Sequence, residues 1–295
     1  MKNLKAELLL FLTATIWAGT FPIVKTSLVT LPPFYFIGIR FLIGAVIFSA
    51  IFFRKLELGN PAVLKAGLVL GLFQMIGFSS QTIGMIYTSA SNSALITGIT
   101  ILIVPFAQYA IVKKKVQFEN WAGVVIVTLG LGLLTQPHIS GFNTGDIITI
   151  ICPFAWAFYI IYIDVFTNKY DIRTLIFIQL WAVVIISFIL GLAFEDFSAI
   201  SFSEGEILSL LYMGILATFV TTILLNKYQR ETTPVRASII YTWEQPAAII
   251  LSVIFIKEQF NYLQILGGAL MITGMLFSET FEYFRMKFSG KKEAA

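Results

Sequence analysis

The chain has 295 residues, of which 58% are hydrophobic and 12% charged, with a formal net charge of +4 and a mean hydropathy of +0.87. A soluble domain carries about 25% charged residues, so this composition excludes a chain that covers itself for water and points to an all-α integral membrane protein. One cysteine, Cys152, excludes an internal disulfide and any cluster of several thiolates.

A span that crosses a bilayer needs about 20 apolar residues, and ten such stretches follow one another, at 7–24, 33–53, 64–86, 91–112, 119–135, 145–167, 172–194, 206–226, 236–256 and 261–283. Barrel strands alternate apolar and polar residues, which these runs do not. The first span carries Trp17 and Pro22 and ends near Lys25; its start, Lys2 and Lys5 before an apolar run, also resembles a signal peptide. Arg40 lies inside the second span and Gln81 well inside the third. Asn92 opens the fourth, where it can act as a cap, and Thr97 and Pro105 follow it. The separator "QPHISGFNTG" holds the only histidine, His138, expected to be solvated. Pro153, Trp156 and Tyr159 lie in the sixth span, with Asp164 near its end; Gln179 lies in the seventh and Asn226 at the end of the eighth. The ninth contains "YTWEQP", which sets Glu244 and Gln245 against Pro246 in the middle of a hydrocarbon run.

Lys and Arg decide orientation. With the N-terminus inside, inside segments hold 17 of them and outside segments only Lys25 and Lys257, so both termini are expected in the cytoplasm of a cell-membrane protein. The chain also repeats itself. "TIWAGTFPIVK" (15–25) aligns with "FAWAFYIIYID" (154–164), pairing Trp17 with Trp156 and Lys25 with Asp164 at a shift of 139. The same shift pairs Arg40 with Gln179, and "WAGVVIVTLG" (121–130) aligns with "ILGGALMITG" (265–274) at a shift of 144. These offsets predict two five-helix repeats, 1–140 and 141–295, and five is odd, so the second repeat enters from the opposite side. Inverted repeats mark secondary transporters, with a site near the midplane between the halves.

The stretches "IWAGTFPIVK…PPFYFIGIRFLIGA", "ALITGITILIVPF…AGVVIVTLG" and "ASIIYTWEQPAAIILSVIFIKEQFNYLQILGGALMITG" together resemble the EamA family of the drug/metabolite transporter superfamily over essentially the whole chain. Departures are Gln245 between Glu and Pro, Lys257 in place of a glycine before Glu258, Pro105 about one turn late, and Lys114 where the family has a second Glu. The resemblance implies ten helices and transport of amino acids, nucleosides, amines or drugs.

Glu244 is the first candidate. About eight residues past Arg236, at roughly 1.5 Å each, it sits about 12 Å deep, where an ionisable group costs at least about 2.5–3.5 kcal/mol. It either binds a cation or proton, or bonds to backbone opened by Pro246. Trp17, Trp156, Tyr159 and Tyr241 form a stacking pocket or simply pack; Gln81, Asn92, Thr97 and Gln245 are the neutral polar candidates. Arg40 could snorkel outward or pair with Glu244, and Lys25 and Asp164 are expected at the interface, with gating or proton coupling as the other reading of Asp164. Pro22, Pro105, Pro153 and Pro246 are candidate hinges. The chain has no G-x-x-x-x-G-K-[ST] loop, so no ATP drive and no cofactor are expected. The expected function is secondary transport of a small metabolite, with export as the working direction. The expected partners are that solute and the bilayer; protons and a second copy of the chain stay open, and no nucleic acid is expected. A channel and an intramembrane enzyme are the alternatives, the latter disfavoured because Asp146, Asp164 and Asp171 lie near span ends.

Overall fold

The computed structural model describes residues 2–135, 143–200, 202–257 and 261–289. His138, Glu258 and the expected boundary at 140/141 lie outside the described residues. Among the described residues every regular element is helical. In chain order they are α1 (Lys2–Ala18), α2 (Thr20–Ser27), α3 (Pro33–Phe52), α4 (Pro61–Tyr87), α5 (Ala90–Gly98), α6 (Thr100–Ala107), α7 (Phe118–Thr135), α8 (Thr144–Thr149), α9 (Ile151–Thr167), α10 (Ile172–Phe194), α11 (Glu204–Leu211), α12 (Thr221–Tyr228), α13 (Pro234–Tyr241), α14 (Glu244–Ile256) and α15 (Tyr262–Ser289). π-helical stretches cover Gln108–Val112 and Tyr212–Val220.

Several of these helices run on from one another, giving, among the described residues, eight segments long and apolar enough to cross a membrane. They are Leu4–Ser27, Pro33–Lys55, Pro61–Tyr87, Ala90–Val112, Thr144–Thr167, Ile172–Phe194, Glu204–Glu231 and Pro234–Phe255. Two shorter apolar helices, Phe118–Leu134 and Tyr262–Ser278, fall where the fifth and tenth spans were expected. The starts obey capping chemistry: Pro33, Pro61 and Pro234 occupy first positions, where a missing N–H costs nothing. Ser89 accepts from the Asn92 amide and Thr233 from the Arg236 amide. Asn143 and Asp146 form a reciprocal capping box at the start of α8.

Four segments are interrupted near their middles or outer thirds: at Gly19, Ile99, Ile150 and Thr242–Trp243. Pro22, Pro153 and Pro246 each stand at the third residue of the helix after an interruption. That is the place where a missing N–H leaves the carbonyl four residues back unpaired. Pro105 behaves differently: it sits inside α6, and the break lies six residues before it at Ile99. Threonine hydroxyls add bonds to carbonyls beside three of the breaks: Thr100 Oγ1 donates to Thr97 O (2.7 Å), Thr20 Oγ1 to Trp17 O (2.7 Å) and Thr242 Oγ1 to Ile239 O (2.5 Å).

The helices pack in pairs: α3 on α10, α7 on α15, α4 on α9 and α10, and α1 on α12, α13 and α14. The α7–α15 contact requires glycine. A Cβ on Gly130 would meet Gly267 O at 2.7 Å, and one on Gly267 would meet Gly130 O at 2.6 Å. Large apolar side chains face outward, as a lipid boundary requires, including Leu192, Phe194, Phe255 and Ile254.

One sequence expectation about charge changes here. Arg40 does not snorkel: it is 2% exposed. Lys25 is half-buried, and its Nζ donates to Met85 O (2.6 Å) and Thr88 O (2.8 Å), capping the C-terminus of α4, where a cation meets the negative end of the helix dipole.

Candidate functional site

The interruptions at Gly19, Ile99 and Thr242–Trp243 adjoin a central cavity, whose wall is assembled from α1, α2, α3, α4, α5, α6, α9, α12, α13 and α14. An interrupted helix presents both backbone ends and first-turn side chains to such a space. Glu244 and Gln245 are the first two residues of α14, so the acid stands at the positive end of a helix dipole. Glu244 is 9% exposed, and Gln245 Oε1 is buried with no hydrogen-bond partner.

Aromatic rings form one side. Trp17 and Trp156 lie with centroids 5.4 Å apart, Trp17 and Tyr241 5.9 Å apart, and Phe78 meets the Trp156 ring edge-on at 5.0 Å. Such distances fall in the range where aromatic pairs add to simple burial. Trp17 is fixed by its indole N–H, which donates to Ala217 O and Thr221 Oγ1, both at 3.2 Å. The guanidinium of Arg40 lies 4.1 Å from the Phe78 ring centre and 5.2 Å from that of Phe41. Opposite, Gln81 Nε2 donates to Thr97 Oγ1 (3.0 Å), whose hydroxyl in turn reaches Ser93 O (2.8 Å).

Of the residues singled out in the sequence, Trp17, Arg40, Gln81, Thr97, Trp156, Tyr241, Glu244 and Gln245 line this one cavity. Tyr159 stands behind Trp156, its ring edge-on at 5.3 Å, and its hydroxyl donates to Gln179 Oε1 (2.9 Å), which belongs to a buried Gln179–Asn226 pair. Asn92 does not line the cavity; its amide is the group capped by Ser89. Asp164 is buried, at 8% exposure, but away from the cavity, as are Pro22, Pro105 and Pro153. Pro246 faces a separate apolar groove of about 470 Å³ against Gly268 and Ala269 of α15. Trp243 stacks on Phe11 and donates to Thr15 Oγ1 (3.0 Å), which makes it a packing residue.

Sequence reasoning missed Thr20, Phe78, Ile101, Ile160 and Ser238, as well as Gly98, Thr100, Leu225 and Thr242. The first five lie three or four residues from Trp17, Gln81, Thr97, Trp156 and Tyr241 respectively, and Thr100 and Thr242 lie three from Thr97 and Gln245. Helical neighbours at those spacings share a face, so extending each candidate by one turn would have recovered all but Gly98 and Leu225.

The cavity volume is about 50 Å³. A water needs about 10–15 Å³ of such space, so a few fit; small-molecule sites run to about 300–1,000 Å³. In this conformation the cavity is therefore too narrow for a drug-sized molecule.

Comparison with known proteins agrees with this architecture. The chain is 31% identical over 278 residues to an uncharacterized transporter of Archaeoglobus fulgidus, covering 94% of this chain and 86% of that one. It is 24% identical to the uncharacterized inner membrane transporter YedA of Escherichia coli K12, covering 82% and 79% of the two chains. A solved crystal structure superposes with a TM-score of 0.77 at 16% identity, over 94% of this chain and 98% of that one, which speaks to the fold alone. The EamA-like transporter family matches residues 4–136 and again 143–280. The chain belongs to that family, in the drug/metabolite transporter superfamily, and is a multi-pass membrane transporter.

Proposed function

We propose that the protein is a secondary-active transporter of a small metabolite, an amino acid, amine or drug-like compound, working by alternating access and in the direction of export. In this reading the two short apolar helices cross the membrane with the eight longer ones. The ten crossings form two five-helix halves of inverted topology, with both termini cytoplasmic. Several local features support the repeat. Ile99 and Trp243, both at helix interruptions, lie 144 apart; so do the capping residues Ser89 and Thr233. Lys113 and Lys257, also 144 apart, are the two non-glycine residues with positive φ among the described residues, each at 60°. The family's double match points the same way.

The observation that carries the function is Glu244: a buried acid at the start of a helix that restarts mid-membrane, facing a narrow cavity walled by Trp17, Trp156 and Tyr241. An acid in that position is expensive unless a cation or proton visits it. Glu244 is thus the coupling group, by proton exchange or by direct contact with a cationic substrate. The test is counterflow in proteoliposomes. Saturable, gradient-dependent exchange is expected, abolished or uncoupled in Glu244→Gln with insertion intact. Flux that never saturates would instead identify a passive channel, and full proton-driven flux in Glu244→Gln would remove that residue from coupling.

A further inference from the structure

Several buried or half-buried charges elsewhere in this molecule are answered by partners. Lys25 donates to two carbonyls, Asp146 accepts from Thr88 Oγ1 and the Asn143 amide, and Arg236 pairs with Glu7 at 2.7 Å. Asp164, away from the cavity, has no such partner among the described residues, and neither do Arg40 and Glu244, the two charges on the cavity wall. Both line the central cavity, at 2% and 9% exposure, and neither forms a hydrogen bond or ion pair with any described residue, the other included.

Packing alone does not account for Arg40. Its guanidinium lies over Phe78 at 4.1 Å, and such a contact is worth about 0.5–2 kcal/mol. An unpaired buried ion costs several kcal/mol, and arginine cannot escape by losing its proton. A guanidinium on the cavity wall that donates to no described residue is half of a binding site. Glu244 is the complementary half.

We propose that the cavity takes a zwitterionic solute, with Arg40 holding its anionic group and Glu244 its cationic group. The reading rests on the cavity's being the transport site and narrows its substrate class. A simple amine would satisfy Glu244 but leave Arg40 unanswered, and it would add a second cation to the same small space. A simple acid would do the reverse. Only a solute with both charges neutralises both walls, and its carboxylate can accept two parallel N–H bonds from the guanidinium fork. The Trp17 and Trp156 rings lie in the same wall and supply an apolar surface for the body of the solute. Because the cavity now measures about 50 Å³, admission requires it to widen, which the helix interruptions around it permit.

Binding to the purified full-length protein in lipid nanodiscs, read by calorimetry and by the shift in melting temperature, tests this. The probes are three matched sets: phenylalanine, phenethylamine and 3-phenylpropionate; leucine, 3-methylbutylamine and 4-methylpentanoate; alanine, ethylamine and propionate. A charge-assisted hydrogen bond is worth about 1.5–3 kcal/mol, so in at least one set the zwitterion is expected to bind at least about tenfold tighter than both singly charged members. Arg40→Gln should reduce that zwitterion to the affinity of its amine, and Glu244→Gln to that of its acid. Should Arg40→Gln not fold, the wild-type comparison decides alone. The proposal is overturned if no zwitterion binds in any set, if every binding zwitterion has a singly charged member within tenfold of it, or if folded Arg40→Gln binds the zwitterion undiminished. Counterflow separates the two readings. A zwitterion that binds but is never exchanged removes the transport function and leaves the site; saturable exchange of a plain amine leaves transport and removes the zwitterion.

Discussion

Glu195 illustrates how single residues hold this fold from a distance. It is the first residue past α10, and its carboxylate accepts the amides of Phe34 (2.8 Å) and Tyr35 (3.1 Å) in the first turn of α3. The residue that should cap α3 is Pro32, which has no side-chain acceptor to offer. Burial pushes the Glu195 carboxyl above its usual range, and the two amides pull it back. Caps of this kind are worth about 0.5–2 kcal/mol, so Glu195→Ala should lower stability by about 1–2 kcal/mol, read by thermal or denaturant unfolding in detergent. An unchanged midpoint would mean that the two amides find other acceptors. Trp17 and Trp156 belong to the same scale. Trp17→Ala and Trp156→Ala should each weaken solute binding by about tenfold or more while the protein still inserts, and unchanged affinity would leave the rings as packing. Trp17, Trp156 and Glu244 were legible in the sequence because depth in a span makes an aromatic–acid cluster conspicuous. Glu195 was not, since a charge in a separator reads as solvated until the fold brings the start of α3 beside it.

At the scale of helices, prolines announced interruptions more reliably than they caused them. Pro246 and the break at Trp243 look like cause and effect, yet Ile99, 144 residues earlier, interrupts its own segment with Leu102 where the proline would stand. The hydrogen bonds are alike: Ile99 N reaches Ile96 O (3.1 Å) and Trp243 N reaches Ile240 O (3.2 Å), each a three-residue step in place of four. Tertiary placement at the cavity therefore sets the break, and proline is compatible with it. Pro246→Ala should leave the interruption in place and counterflow within about threefold of the parent. A continuous helix through 240–247 in a structure of that variant would reverse the argument. Pro105 is the contrary case, inside α6 with no break beside it. An interior proline forfeits one hydrogen bond and crowds the carbonyl four residues back, so Pro105→Ala should raise the melting temperature. The interruption at Ile99 could not be located from the sequence, because no proline stands three residues after it, and Pro105 shows that a proline marks where a helix tolerates a lost bond and not whether the helix breaks there.

For the whole molecule, alternating access requires closures at both ends of the cavity, and two contacts join the expected halves in equivalent places. Glu7 of α1 pairs with Arg236 of α13 at 2.7 Å. Asp146 of α8, which lies 139 residues after Glu7, accepts from Thr88 Oγ1 at 2.5 Å, at the corner between α4 and α5. The shift of 139 is the one that relates Trp17 to Trp156, so in the proposed inverted arrangement the two acids are counterparts at opposite ends. The shift of 144 carries Thr88 to Thr232, one helical turn before Arg236. The proposed repeat can be read as aligned strings, but these contacts cannot, since they join distant residues that no local pattern relates. If the halves are inverted, an impermeant amine reagent should modify Lys257 from outside intact cells and Lys114 only after permeabilisation, both side chains being exposed. Labelling of both from one side would end the inverted arrangement. The contacts then act in opposition, and weakening one should bias the carrier toward opening at that end. Arg236→Gln should increase cytoplasmic access to a cysteine placed at Ser238, which lies on the cavity wall two residues beyond, and Thr88→Val should increase access to the same cysteine from outside. Two variants that altered access from the same side, or from neither, would show that these contacts brace the fold without gating it.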